Sequence, residues 1–367
     1  MVRRWTCLLA LTACGRSGSE PAAPAEPVDS TPPTASTASP TGSTGATAAT
    51  GDSGPVPTAH TGAPSTASTA STAHTADSAD PTDTATSPDE GLYPDVPYDC
   101  SKGVPAGPFV GTPVAGVVTT EDFAFDLDGH LVAAGPNDIV VRYLADGTVT
   151  PVAGAVSSRG FELLPDGDVA IADPDGARLV RLDLGSGAVS LVGTTFVGMA
   201  GIAVDAEGQV YGTYLSPGRV TATDATTGTT TVLGSPTIQT YGAELSVDEQ
   251  TLYVAGYSAA DPTIYAYDRA GGGWGTERVL ATVAGSVGFG GLAVDACDNV
   301  YAVEPQRCRV WRIDPLGAAE VVADASASFC ASVEFGSGLG GWSATTLYMA
   351  TYDEVVAFDV GVPGRPR

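Results

Sequence analysis

The sequence predicts an all-β fold, a six-bladed β-propeller whose last blade is completed by a strand from the N-terminal side. Three observations support this prediction. From residue 98 onward, short runs rich in Val, Tyr, Leu and Thr alternate with DG, EG and PG turns, and no helical periodicity is found. Six of these runs are related copies at intervals of about 40 residues. A further strand-like run, without a partner in the repeat pattern, precedes the first copy.

Residues 1–13 have the form of an export signal. Arg3 and Arg4 precede an apolar run, Trp5–Ala13, that is too short to span a bilayer. The signal segment runs into LTAC (11–14), which resembles the bacterial lipobox and implies a lipid attached to Cys14. Gly15 replaces the Asp that would retain such a protein in the inner membrane. We therefore expect export, with the lipid as the only membrane contact and an outer-membrane or cell-surface location.

Residues 14–97 are expected to form a disordered linker, and residues 98–367 the propeller. The linker is almost wholly Ala, Thr, Ser, Pro, Gly and Asp, so it cannot bury enough apolar surface to offset its chain entropy. The formal net charge of -26 argues against nucleic acid and anionic membrane surfaces as partners, because both would repel the chain. The expected state is a monomer with an unidentified extracytoplasmic ligand or protein partner.

The six copies define the blades. They are EDFAFDLDGHLVAAG (121–135), RGFELLPDGDVAIAD (159–173), AGIAVDAEGQVYGTY (200–214), YGAELSVDEQTLYVAG (241–256), GGLAVDACDNVYAVE (290–304) and ASVEFGSGLGGWSATTLYMAT (331–351). Each of the first five is followed by a second β pair, which gives four strands per unit, the pattern of propeller blades. The sixth lacks a fourth strand after VVAFDV (355–360), and the run GPFVGTPVAGVV (107–118) is predicted to supply it.

The repeats carry a family resemblance. Their pattern resembles NGLAFSPDGKTLYVAD, typical of NHL-like propellers and of the senescence-marker-protein/gluconolactonase family. The last copy, with TLYMAT before VVAFDV, is similar to that family's terminal blade. The resemblance covers roughly 260 residues in six units of the kind that propellers stack. It implies the propeller fold and, in the family's enzymes, one divalent cation at the channel mouth.

The same resemblance bears on catalysis. The family's metal-binding Glu maps onto Glu121, but its Asn maps onto Tyr241, and its Asp, which also serves as the base, maps onto Gly290. With two of three ligands and the base missing, we predict a binding or interaction module without catalysis. The alternative is a divalent-metal-dependent hydrolase of lactones or esters.

The fourth column of the copies alternates between Ala and Glu. Its glutamates are Glu162, Glu244 and Glu334, and they are expected to converge on the channel axis below Glu121. Three interpretations remain open, since like charges at short range are costly. The four glutamates bind a divalent cation, for which Ca²⁺ is preferred; Arg159 pairs with them or some are protonated; or they face water.

Four cysteines remain in the propeller after Cys7 and Cys14 are set aside. An even number in an exported domain indicates disulfides. Cys297 and Cys308 lie at opposite ends of one strand, roughly 16 Å apart and beyond disulfide reach. The strand directions therefore favour Cys308 with Cys330, and Cys100 with Cys297.

Overall fold

The strands are arranged as six antiparallel sheets in a computed structural model that describes residues 91–119, 121–194, 197–236, 239–260 and 262–367. All of these residues belong to one compact unit, Pro81–Arg367. The export signal, Cys14 and most of the expected linker lie outside the described residues. Residues 91–97, which the composition assigned to the linker, contact the propeller: the hydroxyl of Tyr93 donates a hydrogen bond to the carbonyl of Phe125 at 2.5 Å.

The first three blades each contain four strands in sequence order, innermost first. Blade one is built from β2 (Phe123–Phe125), β3 (Leu131–Ala134), β4 (Ile139–Tyr143) and β5 (Val149–Ala155). Blade two consists of β6 (Gly160–Leu163), β7 (Val169–Asp173), β8 (Arg178–Leu182) and β9 (Val189–Thr194). Blade three contains β10 (Met199–Val204), β11 (Gln209–Leu215), β12 (Gly218–Asp224) and β13 (Thr230–Gly234).

The later blades depart from this plan in two places. Blade four has β14 (Thr240–Leu245), β15 (Thr251–Gly256), β16 (Thr263–Ala270), β17 (Gly273–Trp274) and β18 (Arg278–Thr282). Its short β17 forms a hairpin on β16 before β18 takes the outer position, which accounts for the longer repeat there. Blade five has β19 (Leu292–Val294), β20 (Val300–Glu304), β21 (Arg309–Ile313) and β22 (Ala319–Asp324). Blade six has β23 (Cys330–Phe335), β24 (Thr346–Thr351) and β25 (Val355–Asp359).

The sixth blade is closed as the sequence predicted. Its outermost strand is β1 (Thr112–Pro113), which pairs antiparallel with β25 through Thr112 opposite Ala357. The amide of Val114 extends the pairing by donating to the carbonyl of Val355 at 2.8 Å. Two short 3-10 helices, Cys100–Lys102 and Pro136–Asp138, complete the regular structure of the described residues. None of the helices described is long and apolar enough to cross a membrane.

A repeated turn fixes the inner hairpins of the blades. In blades one, three and five, an Asp follows the innermost strand, and its side chain accepts a hydrogen bond from the amide four residues later. An Asx-type turn of this kind satisfies the turn amides and fixes the hairpin register. The residues concerned are Asp126, Asp205 and Asp295.

Both predicted disulfides are present. Cys100 is joined to Cys297, with 5.6 Å between their Cα atoms, and Cys308 to Cys330, with 5.2 Å. The first ties the 3-10 helix ahead of β1 to the turn after β19. The second ties blade five to blade six. The two bridges therefore reinforce the side of the ring where the chain closes on itself.

We expect a side chain at Gly111 to weaken the closure of blade six. A Cβ atom built there would lie 2.7 Å from Cγ1 of Val356 and 2.8 Å from Cε1 of the buried Phe358. The substitution Gly111→Val should therefore lower the free energy of unfolding by about 1–3 kcal/mol, measured by urea denaturation.

The matched control is Gly154→Val in the outermost strand of blade one, where no atom lies within 4 Å of an added Cβ. That control should change stability by less than about 0.5 kcal/mol. Equal stabilities of the two variants would contradict the closing role of the segment around β1.

Candidate functional site

The central channel has two distinct ends. At the entry side the innermost strands begin, close to Glu121, Arg159, Tyr241 and Gly290. At the exit side the innermost strands end, and the plug segment, defined here as Pro363–Arg367, lies across it. The amide of Arg365 donates to the carbonyl of Val294 at the end of β19, at 2.9 Å.

The inner glutamate ring consists of Glu162, Glu244 and Glu334, each the fourth residue of its repeat. Carboxylate oxygens of the three lie within 4.8 Å of one another, an arrangement that can hold a metal ion. The three residues come from blades two, four and six, and side chains from alternate blades meet only near the ring axis. The predicted convergence of these glutamates on the axis is therefore present in the structure.

Two arginines of the plug segment neutralise most of this charge. Arg367 donates through Nη2 to Glu244 at 3.1 Å and to Glu334 at 2.9 Å, and through Nη1 to Glu162. Arg365 donates through Nε to Glu244 at 2.9 Å, and its Nη1 lies 3.5 Å from Glu249. The side chains of both arginines are almost fully buried, at 4% and 7% exposure for Arg365 and Arg367. The ring thus forms a charged network on the axis.

The network has more carboxylates than guanidinium groups in its buried core. Burial raises the pKa of Glu162 to about 7, although Arg367 opposes the shift and Glu244 adds to it. Burial also raises the pKa of Glu334 well above its usual value, again opposed by Arg367. A proton on one of these carboxyls balances three carboxylates against two guanidinium groups. The raised pKa values of Glu162 and Glu334 therefore favour one protonated carboxyl in this cluster.

The mouth cluster at the entry side consists of Glu121, Arg159, Tyr241 and Tyr352. The hydroxyls of Tyr241 and Tyr352 donate to the two carboxylate oxygens of Glu121 at 3.0 and 3.3 Å. The Nε atom of Arg159 lies 3.4 Å from the same carboxylate. Burial raises the pKa of Tyr241 well above its usual value, so its hydroxyl remains a donor to Glu121.

Aromatic rings flank the mouth cluster on two sides. The ring of Tyr352 stacks on Phe329 with centroids 5.0 Å apart and an interplanar angle of 12°. The ring of Tyr241 packs on Tyr257 with centroids 5.3 Å apart. Offset aromatic pairs of this kind favour rigid surfaces with apolar faces and polar edges. The entry side therefore combines an ion pair with four aromatic rings.

Close backbone packing between blades leaves no room for side chains at two positions of the entry side. A Cβ atom added to Gly242 would lie 2.4 Å from the carbonyl oxygen of Gly290. One added to Gly290 would lie 2.5 Å from the carbonyl oxygen of Ala331. Atoms cannot approach so closely, so an acid at position 290 would require the strands to shift.

The two clusters are separated by a cavity of about 20 Å³, room for roughly one water molecule. It is lined by both clusters and by Asp122, whose pKa burial raises to about 6. The side chain of Asp122 accepts a hydrogen bond from the amide of Phe161 at 3.0 Å. The channel is therefore a packed core with a polar axis.

The structure distinguishes among the sequence-based expectations. Glu121 does not join the other three glutamates, because it lies at the mouth and binds Arg159. In the interpretation that paired the glutamates with an arginine or protonated some of them, the sequence named Arg159; the structure pairs Arg159 with Glu121, and Arg365 and Arg367 with the ring. The cation interpretation of Glu162, Glu244 and Glu334 stays a prediction, since their oxygens have a spacing suited to an ion but are engaged by guanidinium groups.

The plug arginines were missed because they follow the last repeat, where no internal alignment applies. A signal was nonetheless available. The sequence has 16 Lys and Arg residues against 42 Asp and Glu. Two of these few basic residues, Arg365 and Arg367, lie two residues apart in GRPR, beyond the last strand, which ends at Asp359. In an extended chain the side chains of residues i and i+2 point the same way. Two arginines at this spacing therefore indicate contact with one acidic surface.

The inner glutamate ring predicts that the free energy of unfolding depends on pH. Because burial raises the pKa of Glu162 from 4.5 to about 7, the folded protein keeps a proton that the unfolded chain releases. Stability from this group is therefore lost as the pH rises from about 4.5 to about 7, by roughly 3 kcal/mol. Glu162→Gln cannot titrate, so the difference in unfolding free energy between wild type and variant should change by that amount across the interval.

Chemical denaturation at several pH values measures this difference. The control is Glu207→Gln, because Glu207 is exposed and its variant should follow the wild type at every pH. If the wild type and Glu162→Gln change in parallel across the interval, Glu162 does not bind the extra proton.

Comparisons with known proteins agree with this architecture. Residues 123–353 match the family model described as the SMP-30/gluconolactonase/LRE-like region. A gluconolactonase from Xanthomonas campestris superposes with a TM-score of 0.59 and 16% identity, covering 72% of this chain and 94% of its own. The calcium-binding protein regucalcin from Agrobacterium tumefaciens gives a TM-score of 0.58 and 17% identity, covering 71% and 96%.

A protein described as a putative gluconolactonase gives a TM-score of 0.60 and 17% identity, covering 73% of this chain and 98% of its own. No curated protein matches the chain significantly. At these identities the solved structures establish the fold alone. The family model covers more than half of the chain, and the protein is therefore a member of the SMP-30/gluconolactonase/LRE-like family.

Proposed function

We propose that this family member is a lipid-anchored, extracytoplasmic propeller that binds a ligand or a protein partner without hydrolysing it. In this proposal the lipid is attached to Cys14, and residues 14–97 tether the propeller to an outer membrane or cell surface. The proposal that the protein does not hydrolyse its ligand rests on the contacts of Glu121 in the mouth cluster.

The donors around Glu121 do not suit a divalent cation. Such an ion needs oxygen ligands with free lone pairs, in most cases carboxylates, carbonyls and water. Here Glu121 is contacted by a guanidinium group and by two phenol hydroxyls that donate hydrogen bonds to it. The family's second and third ligand positions carry Tyr241 and Gly290. The position of the family's base therefore has no proton acceptor.

The close packing at Gly290 strengthens this argument. A Cβ atom at position 290 would lie 2.5 Å from the carbonyl oxygen of Ala331. Replacing Gly290 alone by an acidic residue would therefore not restore the family's acid. The relatives called gluconolactonase and regucalcin support the alternative, a divalent-metal-dependent hydrolase of lactones or esters. Their identity to this chain is too low to transfer that activity.

The entry side is the face we propose for binding. The plug segment covers the exit side, whereas the entry side presents the Glu121–Arg159 ion pair and the ring of Tyr352, which is 46% exposed. Aromatic side chains with few rotatable bonds are favoured at binding surfaces because ordering them costs little entropy. The paired charges add polar groups that can orient a ligand.

The test of the non-catalytic proposal uses the full-length protein. A lactone-hydrolysis assay with added CaCl₂ should give no rate above the uncatalysed reaction, and elemental analysis should give the same metal content for the wild type and for Glu121→Gln. Glu121→Gln should behave like the wild type in both measurements. Stoichiometric metal together with turnover that Glu121→Gln abolishes would establish the hydrolase instead.

The anchoring proposal is tested separately in bacterial cells supplied with an alkyne-labelled fatty acid. Wild-type protein should carry the label and sediment with membranes, because a covalently attached acyl chain supplies the hydrophobic anchor. Cys14→Ala should lose both properties, whereas Cys7→Ala, altered inside the export signal, should keep them. Label on Cys14→Ala would show that the lipid site is elsewhere.

A further inference from the structure

Arg367 binds the inner glutamate ring in the manner of a ligand. Its planar guanidinium group contacts three carboxylates from three different blades. A guanidinium group carries its donors in a rigid fork and suits several carboxylates arranged around it, whereas an ammonium group acts as a point charge. The ring therefore has the chemistry of a guanidinium-binding site.

The backbone attaches the plug segment chiefly before Arg367. The carbonyl of Pro363 accepts from Ala296 at 2.9 Å, and the amides of Gly364 and Arg365 donate to Ala344 and Val294. At Arg367 itself the backbone contact is a longer hydrogen bond, 3.3 Å, from the amide of Tyr93. The side chain of Arg367, rather than a sheet, thus accounts for most of its polar contacts in the described part of the molecule.

The exit side also offers space beside this arginine. A cavity of about 340 Å³ is lined by Glu162, Asp205, Glu249, Arg365 and Arg367 among others. A second, of about 880 Å³, is lined by Asp95, Asp248, Glu249 and Arg367 among others. Cavities of this size accommodate small ligands, and acidic linings favour cationic ones.

We propose that the inner glutamate ring is an arginine-recognition site and that Arg367 is its built-in ligand. The same site would accept the guanidinium group of another molecule whenever the Arg367 side chain is withdrawn. This inference goes beyond the proposed function and does not rest on it, because it concerns the exit side and requires nothing of Glu121 or of the lipid anchor.

The experiment removes the built-in ligand from the full-length protein and supplies its functional group in solution. Arg367→Gln leaves three buried carboxylates with one fewer cation, so its melting temperature should fall on the order of 10 °C below the wild type. Millimolar guanidinium chloride should raise the melting temperature of this variant by mass action. The wild type should not respond, because its site is filled, and equal NaCl should have no effect on either protein.

The matched control is the triple variant Glu162→Gln, Glu334→Gln, Arg367→Gln. It lacks the guanidinium group and two of the carboxylates, so Glu244 can pair with Arg365 alone, and guanidinium should not stabilise it. A variant Arg367→Gln that melts like the wild type, or that guanidinium stabilises no more than NaCl does, would overturn the proposal. Stabilisation by CaCl₂ at lower concentration than guanidinium would overturn its selectivity and favour a cation site.

A second variant keeps the test decisive if Arg367→Gln does not fold. Arg367→Lys retains the charge but loses the planar fork, so it should fold and melt at a lower temperature than the wild type. Where the Gln variant also folds, the Lys variant should melt at a higher temperature than it does. A Lys variant as stable as the wild type would show that a guanidinium group has no special place in the ring.

Discussion

The burial of three carboxylates on the propeller axis is the constraint on which the rest of the closure depends. Glu162, Glu244 and Glu334 cannot all be ionised at this spacing unless opposite charge is buried with them. The chain supplies that charge from its own last residues, Arg365 and Arg367. The segment that follows β25 lies across the channel, and the outer strand of blade six is β1, from the N-terminal side.

The same physical solution occurs at both ends of the channel. At the mouth, Glu121 is neutralised by Arg159, and at the exit side the ring is neutralised by the plug arginines. The resemblance to the family implies a cation next to the first of these glutamates. Here arginine supplies the positive charge, with tyrosine hydroxyls completing the hydrogen bonds of Glu121. In both clusters of this propeller, arginine guanidinium groups therefore compensate the carboxylates near the axis.

The repeats made most of this fold predictable. The repeat spacing defined the blades, and the column of alternating Ala and Glu located the inner glutamate ring, because each follows from a local rule applied six times. The strand directions within a blade selected both disulfides. Arg365 and Arg367 could not be placed in this way, since they lie beyond the last repeat and long-range charge determines their position. Tyr93 was missed for a similar reason: a polar composition predicted a linker, yet this single aromatic residue packs against the exit side.

A tethered guanidinium group and a bound metal ion can both neutralise clustered carboxylates, but they differ in how readily they are removed. A covalently attached cation is present at a high effective concentration, so dilution or chelation does not remove it. The plug segment that carries Arg367 also lies across the exit side, and its guanidinium group contacts one glutamate from each of three blades. The glutamates therefore keep a counter-charge as long as the side chain of Arg367 is in place. At the entry side, by contrast, Tyr352 and the Glu121–Arg159 pair remain partly exposed.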